Sequence, residues 1–216
     1  MKWDRRGTVR DRWGSPGIRL RTAFALAALG TAGCAFLEPA VDPSRFFVLT
    51  AVSQPAAAGS GVSIGVGPLH LASYLSVPEI QVRASAAEIV RSPVNRWAEP
   101  LEEGLLRVLA QDLSAELGTR DVVLFPWYAE QQPAVQVSAS IRRFELDPDG
   151  AGVLEARFEV AHLGAGGRRV VRDVAIRKPP AKTDVADSVG ALSEAVAELA
   201  QEIAKDVAKD VAKDVR

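Results

Sequence analysis

The stretch Ala134–Val160, AVQVSASIRRFELDPDGAGVLEARFEV, reads as two long strands joined by a turn. Val135, Val137, Ala139 and Ile141 share one parity, the spacing that lines one face of a sheet. Phe144 and Leu146 hold the other parity, so a bulge near Arg142 and Arg143 is needed to bring both sets to the same face. DPDG at 147–150 has turn chemistry, and Leu154, Ala156, Phe158 and Val160 alternate again beyond it. GAGG at 164–167 turns the chain once more, into a strand over 170–176. Three consecutive strands with short turns predict an antiparallel meander.

Helices are predicted on either side of the meander. Downstream, from Thr183 or Asp184, Val185, Val189, Leu192, Val196, Leu199 and Ile203 step by four and three, a narrow seam suited to packing on a sheet or another helix. AKDVAKDVAKDV at 204–215 is a true repeat. Its period of four advances about 400° each time, so its valines drift roughly 40° around the helix per repeat. Asp206 with Lys209 and Asp210 with Lys213 make i,i+3 pairs. Residues 204–216 read as a solvated helical extension that frays at its end; a partner-contact or self-association tail is the alternative.

Upstream, a helix begins near Pro100, where the missing N–H would have no partner, and Glu102 and Glu103 suit the positive end of its dipole. Leu101, Leu105, Val108, Leu109, Leu113 and Leu117 form one stripe, and Gly118 is a natural stop. Before it come RFFVLTAV (45–52), VSIGVG (62–67), a strand around Ile80 and Val82, and a short one from Glu88 to Val90. The expected fold class is α+β: a mostly antiparallel sheet packed against an amphipathic central helix and a long C-terminal helix, in a single domain over 45–203.

The first residues have a different character. Seven of the 26 basic side chains but two of the 27 acidic ones precede residue 34, leaving 19 basic against 25 acidic groups in the rest. That body lacks the clustered Lys and Arg that phosphate neutralisation needs, so no nucleic-acid partner is expected. TAFALAAL at 22–29 follows the basic leader, is too short to span a bilayer, and is followed by small residues. Basic stretch, apolar run and small residues in that order read as an export signal over 1–33. TAGC at 31–34 resembles a lipobox, with cleavage between Gly33 and Cys34, the only cysteine in the chain. The resemblance implies a covalent diacylglycerol and an N-acyl chain, palmitate among them, on Cys34. At about 0.8 kcal/mol per buried methylene, several chains together anchor stably. Residues 34–44 are then lipidated cysteine and tether; ten extended residues reach roughly 33 Å. Ala35 follows where lipoproteins kept in the inner membrane commonly carry aspartate, so the outer membrane is the implied address.

Catalytic signatures are weak. His162 shares parity with Phe158 and Val160 and reads as a partly buried structural histidine. His70 has no carboxylate or cysteine at metal-ligand spacing, so no metal site is expected. GSGVSIGVG (59–67) lacks a phosphate-loop lysine and does not open a helix. No catalytic residue is assigned and the chain is not expected to be an enzyme.

Taken in order, RFFVLTA, VSIGVGPLHLASYLSVPEIQVR (62–83), NRWAEPLEEGLLRVLAQDL (95–113) and FPW (125–127) are similar to the ABC-type transport auxiliary lipoproteins of Gram-negative bacteria, the paraquat-inducible protein C-like family. The third stretch is the most specific. Ala72, usually proline in the family, and Ser76 and Val77, usually charged, depart from the pattern. The resemblance implies a non-enzymatic periplasmic domain on the outer membrane. Its implied partners are a periplasm-spanning MCE-domain protein and ABC transporter components that move lipid between membranes and maintain membrane integrity. It also implies a ring-like homo-oligomer. Arg96, Trp97, Glu99, Pro100 and Glu102 are the expected partner-binding residues, with Trp97 able instead to lock the helix onto the sheet. An envelope-assembly or structural lipoprotein that binds another envelope protein without lipid transport is the alternative.

Overall fold

A computed structural model describes residues 41–55, 59, 61–128, 131–164, 167–182 and 184–214, with side chains of the last helix described through Lys209. Pro43–Arg216 forms one compact unit; of the other, Met1–Asp42, only Val41 and Asp42 are described. The export signal, Gly33, Cys34 and the tether to residue 40 therefore lie outside the described residues.

Among the described residues of the compact unit lie eight strands and two α-helices: β1 Arg45–Phe47, β2 Ile64–Leu71, β3 Glu79–Ser85, β4 Glu88–Trp97, α1 Leu101–Leu117, β5 Val122–Leu124, β6 Val135–Leu146, β7 Gly152–His162, β8 Arg169–Lys178 and α2 Val185–Asp214. The fold is α+β with a mostly antiparallel sheet. The meander β6–β7–β8 is present, and its register shifts between Ile141 and Arg143, where the parity break required a bulge. One residue, Arg142, is taken up there, and Phe144 and Leu146 join Val135–Ile141 on the buried face.

Parallel pairings complete the sheet and were not legible in the sequence. β7 pairs β6 along its whole length. β2 and β3 therefore lie end to end on β6's other edge, β2 against Val135–Ile141 and β3 meeting it at Leu146, both parallel to it. Outside them sit β5, parallel to β2, and β4, antiparallel to β3, with β1 parallel to the end of β4. Parallel neighbours need a crossover, and α1 lies in the connection that takes the chain from β4 to β5.

Two strands differ most in length from expectation. RFFVLTAV is strand only over Arg45–Phe47, because the chain then leaves the sheet to cross the helices. The short strand at 88–90 runs on to Trp97. Pro93 falls inside a register shift between Arg91 and Arg96, where no regular ladder has to be maintained.

Both helices cover one face of the sheet, α1 over β2 and β5 and α2 over β6, β7 and β8, and they pack on each other. The predicted stripes meet here: Leu105, Val108, Leu113, Leu192, Val196, Leu199 and Ile203 are buried with Ile64, Val137, Leu154 and Phe158. α1 ends at Gly118, whose left-handed backbone (φ 59°) closes the cap. At Gly152 a Cβ would come within 2.7 Å of the Leu192 amide nitrogen, so only glycine lets α2 lie this close to β7.

A strap from β1 crosses the helix pair. Leu49 is buried, its carbonyl accepts from Arg107 Nη2 at 3.2 Å, and the Thr50 N–H donates to Ser193 Oγ at 3.2 Å. The Val52 and Ser53 N–H groups both donate to Asp112 Oδ1, at 3.0 and 2.9 Å. Asp112 is fully buried, and burial pushes its carboxyl above the usual range despite those two donors.

α2 runs unbroken through the boundary expected at 203/204. Val207 of the first AKDV repeat is fully buried, and Asp206 binds Arg172 of β8 at 3.0 Å. The seam thus extends into the repeat, so Asp206 and Val207 belong to the body instead of a solvated extension. The reason is β8, which is long enough to lie beneath them; the side chains of Asp210 and later lie outside the described residues.

Candidate functional site

The RWAEPLEE corner (96–103) is structural on one side and open on the other. Trp97 ends β4 opposite Phe47, and its backbone N–H donates to the Pro78 carbonyl at 2.7 Å. The residue is 8% exposed, and its ring tilts against Phe144 with centroids 6.2 Å apart. Three residues later Pro100 sits at the N-cap position, with no side-chain cap, and Leu101 opens α1. The chain therefore turns sharply from sheet to helix just after a buried indole.

That corner forms one wall of an apolar groove of about 460 Å³. Leu71 from the end of β2 and the Ser76–Val77–Pro78 segment form the other wall. Of the expected partner-binding residues, the groove brings together Trp97, Glu99, Pro100 and Glu102. Arg96 is not among them; alternation along β4 turns it away from Trp97's side, where it pairs with Glu79 at 3.7 Å. Glu99 folds back along α1 and forms an ion pair with Arg107, so its carboxylate is already engaged. Glu102 and its neighbour Glu103 are exposed in the first turn.

A buried ionic network holds the segment between β2 and β3. Tyr74 Oη donates to the Arg142 carbonyl and to Glu145 Oε2, each at 3.0 Å. Glu145 is 1% exposed and also accepts from Arg143 Nε at 2.8 Å and from Arg83 Nε. Burial alone would raise the Glu145 carboxyl, but hydrogen bonds from Arg83, Arg143 and Tyr74 outweigh it and hold the group below its ordinary value. Burial and then the Glu145 charge push the Tyr74 hydroxyl up to about 12. Gln81 Nε2 donates to the Tyr74 carbonyl at 2.6 Å. The groove wall at 76–78 is thus pinned from below by β3 and β6.

Sequence reasoning missed Leu71, Pro78, Tyr74 and Glu145. Leu71 and Pro78 lie within the family-like stretch 62–83, but no periodicity or spacing singles them out. Glu145 had a signal, a lone carboxylate on a strand next to a predicted bulge, but its partner Arg83 is distant in sequence. His70 is exposed, and His162 is half-buried at the end of β7. Among the described residues no group of three or more His, Cys, Asp or Glu is placed to hold a metal ion. Among them, too, no helix is long and apolar enough to cross a membrane.

Comparison with known proteins agrees with this architecture. Among solved structures, protein XCC0632 from Xanthomonas campestris is 21% identical, with a TM-score of 0.62 over 74% of this chain and 93% of that one. An uncharacterized protein of known crystal structure is 20% identical, with a TM-score of 0.62 over 76% of this chain and 98% of its own. At such identities the likeness is one of fold. No curated protein matches. The profile of the ABC-type transport auxiliary lipoprotein component matches residues 47–204, from the end of β1 into the first repeat of α2. With nearly the whole sheet-and-helix body inside that match, the chain belongs to the family of ABC-type transport auxiliary lipoprotein components, proteins held to a membrane by a lipid anchor.

Proposed function

We propose that the protein is a non-enzymatic accessory subunit of an intermembrane lipid-transport system, anchored through acylated Cys34 to the periplasmic face of the outer membrane. Its partners are an MCE-domain protein that spans the periplasm and, through it, ABC transporter components; the complex maintains envelope integrity. Ring-like self-association would let several copies surround one partner.

The observation that carries this reading is the groove beside Trp97. It lies at the sheet-to-helix corner built by the stretch most specific to the family, and its walls are apolar except for the Glu99 and Glu102 carboxyls and the Ser76 hydroxyl. A pre-formed apolar groove of this size suits capture of side chains from a partner. Ser76 and Val77 line it as well.

The test is purification of the C-terminally tagged protein from detergent-solubilised outer membranes, with mass spectrometry of what accompanies it. Recovery of an MCE-domain protein, lost in Val77→Glu while the fold persists, is the expected result. Clean recovery from the outer membrane without such a partner would favour the envelope-structural alternative. Fractionation with the inner membrane, or no shift in palmitate labelling between wild type and Cys34→Ala, would remove the anchor as stated.

A further inference from the structure

The sheet has a gap beside the groove. β6 pairs β2 as far as Leu71, but β5 pairs the other edge of β2 only along Ile64–Val66. β5 stops at Leu124, and the Phe125 N–H makes the last contact of that ladder, to the Val66 carbonyl at 2.9 Å. Farther along the same outer side the next strand is β4, which ends at Trp97. Among the described residues no strand pairs the outer edge of β2 over Leu69–Leu71. That open edge leads directly into the groove, because Leu71 is part of both.

An unpaired strand edge continuous with an apolar pocket is the geometry by which sheets take up an extended segment: main-chain hydrogen bonds hold the added strand and a pocket selects an alternate side chain. The rim adds a charge preference. Glu102 is exposed and lines the groove, Glu103 is exposed beside it in the first turn, and two carboxylates outweigh the roughly half positive charge of the α1 dipole next to them. Glu99 is already paired with Arg107 and leaves that balance unchanged.

We infer that the gap between β5 and β4 is a docking site for an extended polypeptide segment of the partner. The segment adds to β2 at Leu69–Leu71, places one apolar side chain in the groove against Trp97, and directs a Lys or Arg two positions along to Glu102. Side chains two apart in a strand lie about 6.6 Å apart on one face, which matches a pocket with an acidic lip. This inference rests on the groove being the partner site and names the chemistry of what enters it.

The probe is a fluorescein-labelled set of peptides, T-V-T-X-T-R-T-V with X an apolar residue, and the matching set with Glu replacing Arg. They are titrated against the full-length protein in detergent at low salt. The best Arg peptide is expected to bind wild type at least tenfold more tightly than its Glu counterpart. The order should reverse in Glu102→Lys/Glu103→Lys, whose changes are exposed and whose unfolding midpoint serves as the folding control. Amide exchange at Leu69 and Leu71, whose N–H groups face the open edge, should slow on binding. An acyl chain filling the groove would be indifferent to the charge swap and would leave those amides unprotected, and that result overturns the inference. So does absence of binding by every peptide. If the peptides fail while Val77→Glu still loses the co-purifying protein, the strand docking falls and the accessory-subunit reading stands; loss of both removes the groove as a partner site.

Discussion

Trp97 and Phe144 lie with ring centroids 6.2 Å apart and planes inclined at 37°, joining the end of β4 to the bulged strand β6. The pair spans the hairpin β3–β4 and the central strand, which share a single ladder position at Val82 and Leu146. Side-chain packing therefore holds the hairpin where backbone pairing is sparse. The ring packs the corner, and Trp97 also lines the groove.

Trp97→Ala should accordingly destabilise the fold by about 3–5 kcal/mol, the usual range for a large aromatic removed from a core. Trp97→Phe should cost much less. Urea unfolding followed by far-ultraviolet circular dichroism measures both; a shift below about 1 kcal/mol in the alanine variant would show that the ring packs loosely.

Asp112 anchors the strap through Oδ1 alone, so Asp112→Asn keeps the acceptor and removes a charge that burial disfavours. The folded-state value is raised, so the folded protein holds the proton more tightly than the unfolded chain. Relative stability from this group is complete below the ordinary carboxyl value and declines as pH rises through the folded one. Asp112→Asn should match wild type in acid and equal or exceed it at neutral pH, whereas Asp112→Ala should cost roughly 1–3 kcal/mol by orphaning two donors. Unfolding midpoints across pH distinguish the two; an asparagine variant weaker than wild type at neutral pH would contradict the assignment.

Glu145 behaves in the opposite sense. Its folded-state value is lowered, so its contribution is full above the ordinary carboxyl value and disappears as pH falls through the folded one. Glu145→Gln should lose roughly 2–4 kcal/mol at neutral pH, because Arg83 and Arg143 lose their shared anion, and the difference from wild type should shrink in acid.

Tyr74 supplies an optical check on the same network. The chain has two tyrosines, and Tyr74→Phe leaves only Tyr128. Tyr74 is raised above the ordinary value of 10.0 to about 12, so its stabilisation persists to pH 10 and is lost between there and 12. Absorbance titration of tyrosinate in wild type should show a late component near 12 that is missing in Tyr74→Phe.

Truncation tests the reach of the core. Removing residues 208–216 leaves Asp206 and Val207 in place and should change stability little. Removing 204–216 deletes buried Val207 and the Asp206–Arg172 pair and should cost roughly 2–4 kcal/mol. Equal midpoints for the two truncations would return the first repeat to the solvent.

Local pattern was enough for the elements that carry their own period. The parity break between Ile141 and Phe144 located the bulge, since a period of two admits no other way to keep both sets on one face. The leucine stripe of α1 and the valine seam of α2 fixed their buried faces by the same logic. Trp97, Glu99, Pro100 and Glu102 were legible as one unit because they are contiguous at a corner. The parallel placement of β2, the Tyr74–Glu145–Arg83 network and the far wall of the groove were not, since each joins residues tens of positions apart with no local signature. What sequence alone determined here is what neighbouring residues decide among themselves: strand parity, helix faces and turns. Which strand lies beside which, whether Val207 is covered, and where the sheet leaves an edge open were decided only by tertiary packing, because those energies belong to surfaces that do not exist until distant segments meet.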